Sequence, residues 1–118
     1  MPHVVLEQAQ SIPQAFQAIE PLALKTDTGI LKLGDKYINA AENSVLIEAL
    51  AIEQGKNQSF FIQLSQKPSS ITVRLLPLTD PEKSPGVKLL MARVAKQIKD
   101  SNPAIIYGKT NLQDYLLP

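Results

Sequence analysis

The amino-acid sequence predicts an α+β domain: a mainly antiparallel sheet of five or six strands, one long helix over about residues 85–99 packed on its apolar face, and a short N-terminal helix. Three observations lead there. Apolar and polar residues alternate through successive runs between residues 45 and 76, broken by turn residues, which is the pattern of a meander with one buried face. Val87, Leu90, Met91, Val94 and Ile98 recur at spacings of three and four, the pattern of an amphipathic helix. Ser11 followed by Gln14 forms a capping box, in which the hydroxyl accepts from the amide three residues on. A chain of 118 residues with 44% hydrophobic and 19% charged residues suffices for a single core, so residues 1–118 are read as one domain.

The elements follow in order. Val4-Val5-Leu6 is a short β-branched run and opens the sheet. The helix capped by Ser11 tolerates Pro13 in its first turn and carries Ile12, Ala15, Phe16 and Ile19 on one face. Pro21 cannot continue its hydrogen-bond ladder, so it ends near Glu20. Thr26-Asp27-Thr28-Gly29 is a turn cluster. Beyond it, Ile30–Leu33 and Lys36–Asn39 flank Gly34-Asp35, which predicts a hairpin with a type II′ turn.

The stretch from Ala40 to Gln54 has helix-forming composition, but a helix would scatter Val45, Leu46, Ile47, Leu50 and Ile52 around its circumference. A strand sorts Val45, Ile47, Ala49 and Ala51 onto one face, and strand is the prediction. Gly55–Gln58 and Lys67–Ser70 then read as turns into strands over 59–64 and 71–76, with Pro77 closing the last one. Within this reading Asn57-Gln58-Ser59, an N-glycosylation triplet, is a polar turn. Ser84-Pro85 supplies a cap and a first-turn proline for the long helix, and Asn102-Pro103 stops it. Ala104–Tyr107 is a further short strand, and Thr110 caps a brief C-terminal turn.

Two surfaces carry functional expectations. With symmetric turns, Ala49–Ala51 lies opposite Ile62–Leu64, which lies opposite Val73–Leu75. One sheet face is then almost wholly apolar and takes the 85–99 helix. The other carries Glu48, Gln63 and Arg74 among polar residues, and an apolar group of Leu50, Ile52, Phe61 and Leu76. A patch of that size calls for cover. Either the chain supplies it, through Phe16 and Ile19 or through Leu112, Tyr115, Leu116 and Leu117, or a second copy does in a symmetric dimer. The second surface is the arc of the long helix opposite its apolar stripe, where Lys88, Arg93, Lys96 and Lys99 make a basic face. It reads as a solvated face whose late lysines suit the helix dipole, with phosphate contact as the sharper alternative.

Composition narrows the chemistry. Cysteine is absent, which excludes disulfides, thiolate nucleophiles and cysteine-ligated metals. His3 is the sole histidine, leaving no partner for a Ser-His-Asp triad or a multi-histidine metal site. The five glycines, at 29, 34, 55, 86 and 108, form neither a dinucleotide fingerprint nor a phosphate-binding loop. No catalytic residue, metal or cofactor is expected. Net charge is +1 but uneven: residues 1–53 carry three basic and seven acidic side chains, residues 54–118 nine and four. No basic leader or apolar run of membrane-spanning length is seen, so a soluble, cytoplasmic protein without membrane insertion is expected.

The functional expectation is a small non-enzymatic interaction or assembly module, homodimeric or bound to another protein, using Leu50, Ile52, Phe61 and Leu76. Two alternatives stand beside it: a weak nucleic-acid-binding module on the basic face, and a small-ligand or enzymatic site near Glu48 and Arg74, where a buried glutamate would serve as a base.

Overall fold

Two-residue turns hold the centre of the sheet together. In the computed structural model, which describes residues 2–9, 11–79 and 81–118, strands β4 (Ser44–Glu53) and β5 (Lys56–Lys67) meet at Gln54-Gly55. Both turn residues have positive φ, 50° and 80°, as a type I′ turn demands; Gly55 adopts it without a Cβ clash. The turn is therefore shorter than the expected Gly55–Gln58 loop, and Ala49 faces Phe60 rather than Ile62–Leu64. Asn57-Gln58-Ser59 lies within β5, not in a turn. Because the register moves by an even number of residues, every side chain keeps its expected face. The next hairpin, into β6 (Ser70–Leu75), has the expected pairing of Leu64 with Val73.

The remaining elements are β1 (His3–Glu7), α1 (Ile12–Ala18), β2 (Leu22–Thr26), β3 (Gly29–Ile38), a 3-10 turn at Pro77–Thr79, α2 (Pro85–Asp100) and β7 (Ile106–Thr110). The sheet has seven strands in the order β2-β3-β4-β5-β6-β1-β7, all neighbours antiparallel, and it curls into a half-barrel. The prediction of five or six strands, with one long helix and a short N-terminal helix, is corrected in its strand count: among the described residues there are seven strands, and the two helices share one face. Leu22–Thr26 is a strand that the preceding Pro21 and the short alternation concealed. Gly34-Asp35 is not a hairpin turn. Leu33 pairs with Ala49 and Lys36 with Ile47, so Gly34 and Asp35 together oppose Glu48 in a β-bulge and β3 runs through. The ladder to β4 on both sides of the bulge outweighs the local turn signal.

Both helices cap as the sequence implies. Ser11 Oγ accepts from Gln14 N and Ser84 Oγ from Val87 N, each ahead of a first-turn proline. The connection from β1, next to the β7 edge, crosses to β2 at the opposite edge, and α1 lies in it. The connection from β6 to β7 crosses β1, and α2 lies in it. Both lie on the concave side, where Ile12, Ala15, Ile19, Val87, Leu90, Met91, Val94 and Ile98 join Val45, Ile47, Ala51, Ile62, Leu64 and Val73 in a single core. Leu112 belongs to the same core, with Tyr115 and Leu116 packed against it. Thr110 Oγ1 accepts from Leu112 N, and a turn rather than a helix follows.

The bulge has a packing consequence. It keeps Lys36 on the inner side, where its ammonium donates to the carbonyls of Phe16 and Ile19 at 2.6 and 2.9 Å and lies 4.6 Å from the Phe16 ring centre. A cation thus serves carbonyls at the end of α1 that the helix itself leaves unpaired.

Candidate interaction surface

The outer face is built by the alternate residues of the same strands. Glu48 stands opposite Phe61, Leu50 opposite Ser59 and Ile52 opposite Asn57. Leu76 joins Phe61 through its amide, which donates to the Phe61 carbonyl at 3.0 Å. Ile30 lies opposite Ile52 on β3 and extends the apolar group by one strand. Leu50, Ile52, Phe61 and Leu76 therefore do share one face, as their alternation implied. The expectation that α1 or the C-terminal segment covers them is corrected, since Ile12, Ile19 and Leu112 are all buried on the opposite side. None of the four is fully exposed; each is half-buried by its neighbours.

Beyond β6 the 3-10 turn folds back against β5. Thr79 Oγ1 accepts from the Phe61 amide at 3.0 Å and donates to the Leu76 carbonyl at 3.2 Å, so this hydroxyl continues the ladder where β6 has ended. The turn raises one wall of a hollow of about 600 Å³ lined by Lys32, Gly34, Glu48, Leu50, Ser59, Phe61 and Thr79. In the same turn Leu78 is 92% exposed, the most exposed large apolar side chain among the described residues.

Tyr37 stands beside the hollow. Its ring meets Phe61 edge to face at 6.5 Å, and its hydroxyl donates to Glu48 Oε2 at 2.7 Å. That hydrogen bond to a carboxylate, above all, raises the phenol above its ordinary pKa. Arg74 is engaged elsewhere: its Nε donates to Gln63 Oε1 at 2.9 Å, and Gln63 Nε2 donates to Ser44 Oγ at 3.2 Å. Glu48 and Arg74 thus have separate partners, and Arg74 is outside the hollow's lining.

The basic residues of α2 are not a solvated face. Lys88, Arg93, Lys96 and Lys99 are all half-buried. The Lys88 ammonium lies 5.9 Å from the Tyr115 ring centre and that of Lys99 5.3 Å from Tyr107, while Lys96 donates to Asp100 Oδ1 at 2.7 Å and to the Pro118 carbonyl. Tyr107 in turn donates to the Leu117 carbonyl at 2.6 Å, and burial raises its pKa, with the Asp100 charge adding to the effect. The C-terminal segment and β7 therefore supply partners for three of the four cations. Arg93 Nε is buried without a hydrogen-bond partner.

One anchoring residue escaped sequence reading. Glu53, at the end of β4, accepts from Ser84 Oγ and, at 3.0 Å, from Gly86 N, placing a carboxylate at the positive end of α2. A Cβ at 86 would lie 2.6 Å from the Glu53 carboxyl and 2.7 Å from Leu31, so any larger residue there makes both side chains shift. Lys56 pairs with Glu82, and the Glu82 amide donates to Gln58 Oε1 at 2.7 Å. The β4–β5 hairpin tip is thereby fastened to the segment leading into α2. The partners lie some thirty residues apart in the chain, and no local signal links them.

Among the described residues no group of three or more His, Cys, Asp or Glu is placed to hold a metal ion, and no helix is long and apolar enough to cross a membrane. Compared with protein-family models, curated proteins and solved structures, the chain has no significant match in any of the three.

Proposed function

We propose that this chain is a small non-enzymatic interaction module that acts through the outer face of β3–β6, with a homodimer as its assembled form. One observation carries the reading. Both crossover connections run over the concave side, so neither helix lies over Leu50, Ile52, Phe61 and Leu76. A contiguous apolar surface at the mouth of a hollow is the usual mark of a contact site. The basic face of α2 supports nucleic-acid contact less well, because Lys88, Lys96 and Lys99 already have partners within the chain. The small-ligand reading keeps one argument, the hollow beside Glu48, but Arg74 does not converge on it.

Sedimentation velocity over a rising micromolar concentration series tests the proposal. The wild-type chain is expected to shift from monomer to dimer, and Leu50→Lys to stay monomeric with an unchanged far-ultraviolet spectrum. A wild-type chain that stays monomeric at the highest concentration removes the homodimer.

A further inference from the structure

The hollow on the outer face is lined by two opposite charges that do not pair with each other, and we propose that it binds a small zwitterion with an apolar body, the chemistry of a free apolar α-amino acid. The proposal goes beyond the interaction-module reading and does not depend on self-association.

The strand pairing sets the positions. Lys32 is opposite Leu50 and Leu50 opposite Ser59, while Glu48 is opposite Phe61 in the neighbouring row. Lys32 and Glu48 are therefore diagonal neighbours on β3 and β4, about 7–8 Å apart. Both line the hollow, yet no ion pair joins them, and neither has an ion-pair partner among the described residues. The two carboxylate oxygens of Glu48 differ. Oε2 accepts from the Tyr37 hydroxyl at 2.7 Å, which holds the group in place. Oε1 accepts from no described residue and lies 3.3 Å from the point that a Cβ at Gly34 would occupy. The β-bulge puts a glycine there, so the space beside Oε1 stays open.

The charges thus gather over β3 and β4, and the apolar part of the hollow runs from Leu50 to Phe61 on β5, beside the wall made by the Pro77–Thr79 turn. Lys32 suits a carboxylate, Glu48 Oε1 an ammonium, and Leu50 with Phe61 an apolar side chain. A purely anionic ligand would meet the Glu48 charge and a purely cationic one the Lys32 charge, so charge complementarity selects a molecule carrying both. At about 600 Å³ the hollow is within the ordinary range for small-molecule sites, roughly 300–1,000 Å³.

Titration of nitrogen-15-labelled protein with L-phenylalanine tests the site, followed by amide chemical shifts at a protein concentration where sedimentation shows a single species. Saturable shifts are expected at Leu50, Ser59, Phe61 and Thr79. Phenylalaninamide, which lacks the carboxylate, and N-acetylphenylalanine, which lacks the ammonium, should each bind about tenfold more weakly or worse, the worth of one charge-assisted hydrogen bond. Lys32→Glu, at an exposed position, should abolish the phenylalanine response while Lys32→Arg retains it. No saturable shift up to the solubility of phenylalanine overturns the site. Equal binding of the three compounds overturns the zwitterion, and a response that Lys32→Glu leaves unchanged overturns the place of the carboxylate.

Discussion

The two faces of the central strands use the same backbone and similar side chains, yet they live in different environments. On the inner face Val45, Ile47, Ile62, Leu64 and Val73 are wholly buried beneath two helices and the C-terminal segment. On the outer face Leu46, Leu50, Ile52 and Phe61, from the same strands, are only half-buried. Hydrophobicity alone does not separate them. The difference is made by the crossovers, which take both helices over one side. A residue's worth to stability therefore follows from what the chain's long connections lay over it.

Matched truncations put the sharpest test on that contrast. Ile47→Ala is expected to cost about 2–5 kcal/mol by chemical denaturation, the range for deleting a buried aliphatic side chain. Leu50→Ala, three residues along, should cost under about 1 kcal/mol in the monomer, since it empties no enclosed space. Equal losses would mean that the outer face is as much a core as the inner.

The link between the faces is the hairpin tip. Gly86→Ala should destabilise by about 1–3 kcal/mol, because its methyl group meets the Glu53 carboxyl and Leu31. Glu53→Ala should cost about 0.5–2 kcal/mol, the usual range for losing a cap. In the Glu53→Ala background the alanine at 86 should be better tolerated, as one of its two obstacles is gone; additive thermal denaturation losses would contradict the geometry.

The smallest effect belongs to the outer face. Tyr37 has a raised pKa in the folded chain, chiefly from its hydrogen bond to Glu48. A group raised above its unfolded value stabilises below the unfolded pKa, about 10 for tyrosine, and that contribution disappears as pH rises through the folded value. Ultraviolet titration should show Glu48→Gln moving the Tyr37 transition down toward its ordinary position, with Tyr37→Phe identifying the transition by its absence. A titration unchanged by Glu48→Gln would mean that the hydrogen bond does not govern this tyrosine.

Much of this was legible from local chemistry. Ser11 and Ser84 announced the helix starts because a capping hydroxyl and its amide lie within one turn. The alternation through Val45, Ile47, Ala49 and Ala51 was enough to choose strand over helix, because period two survives any error of register. The same evenness let Leu50, Ile52, Phe61 and Leu76 be placed on one face although the β4–β5 pairing differed from expectation. Gly34-Asp35 was misleading, since a glycine within a strand signals a turn or a bulge equally well and only the pairing of β3 with β4 distinguishes them. The fastening of Glu53 to Ser84 and Gly86 was illegible for a related reason: neither segment carries a sign of the other.

By itself, then, the sequence determined the helix caps, the strand faces and the composition of the outer apolar group, all properties of residues a few positions apart. Tertiary structure alone decided the seven-strand order, the side on which both crossovers run, the partners that the α2 lysines find near the C-terminus and the turn that folds Thr79 back onto Phe61. These depend on which distant segments meet. That choice is made by burial over the whole chain, and no local pattern records it.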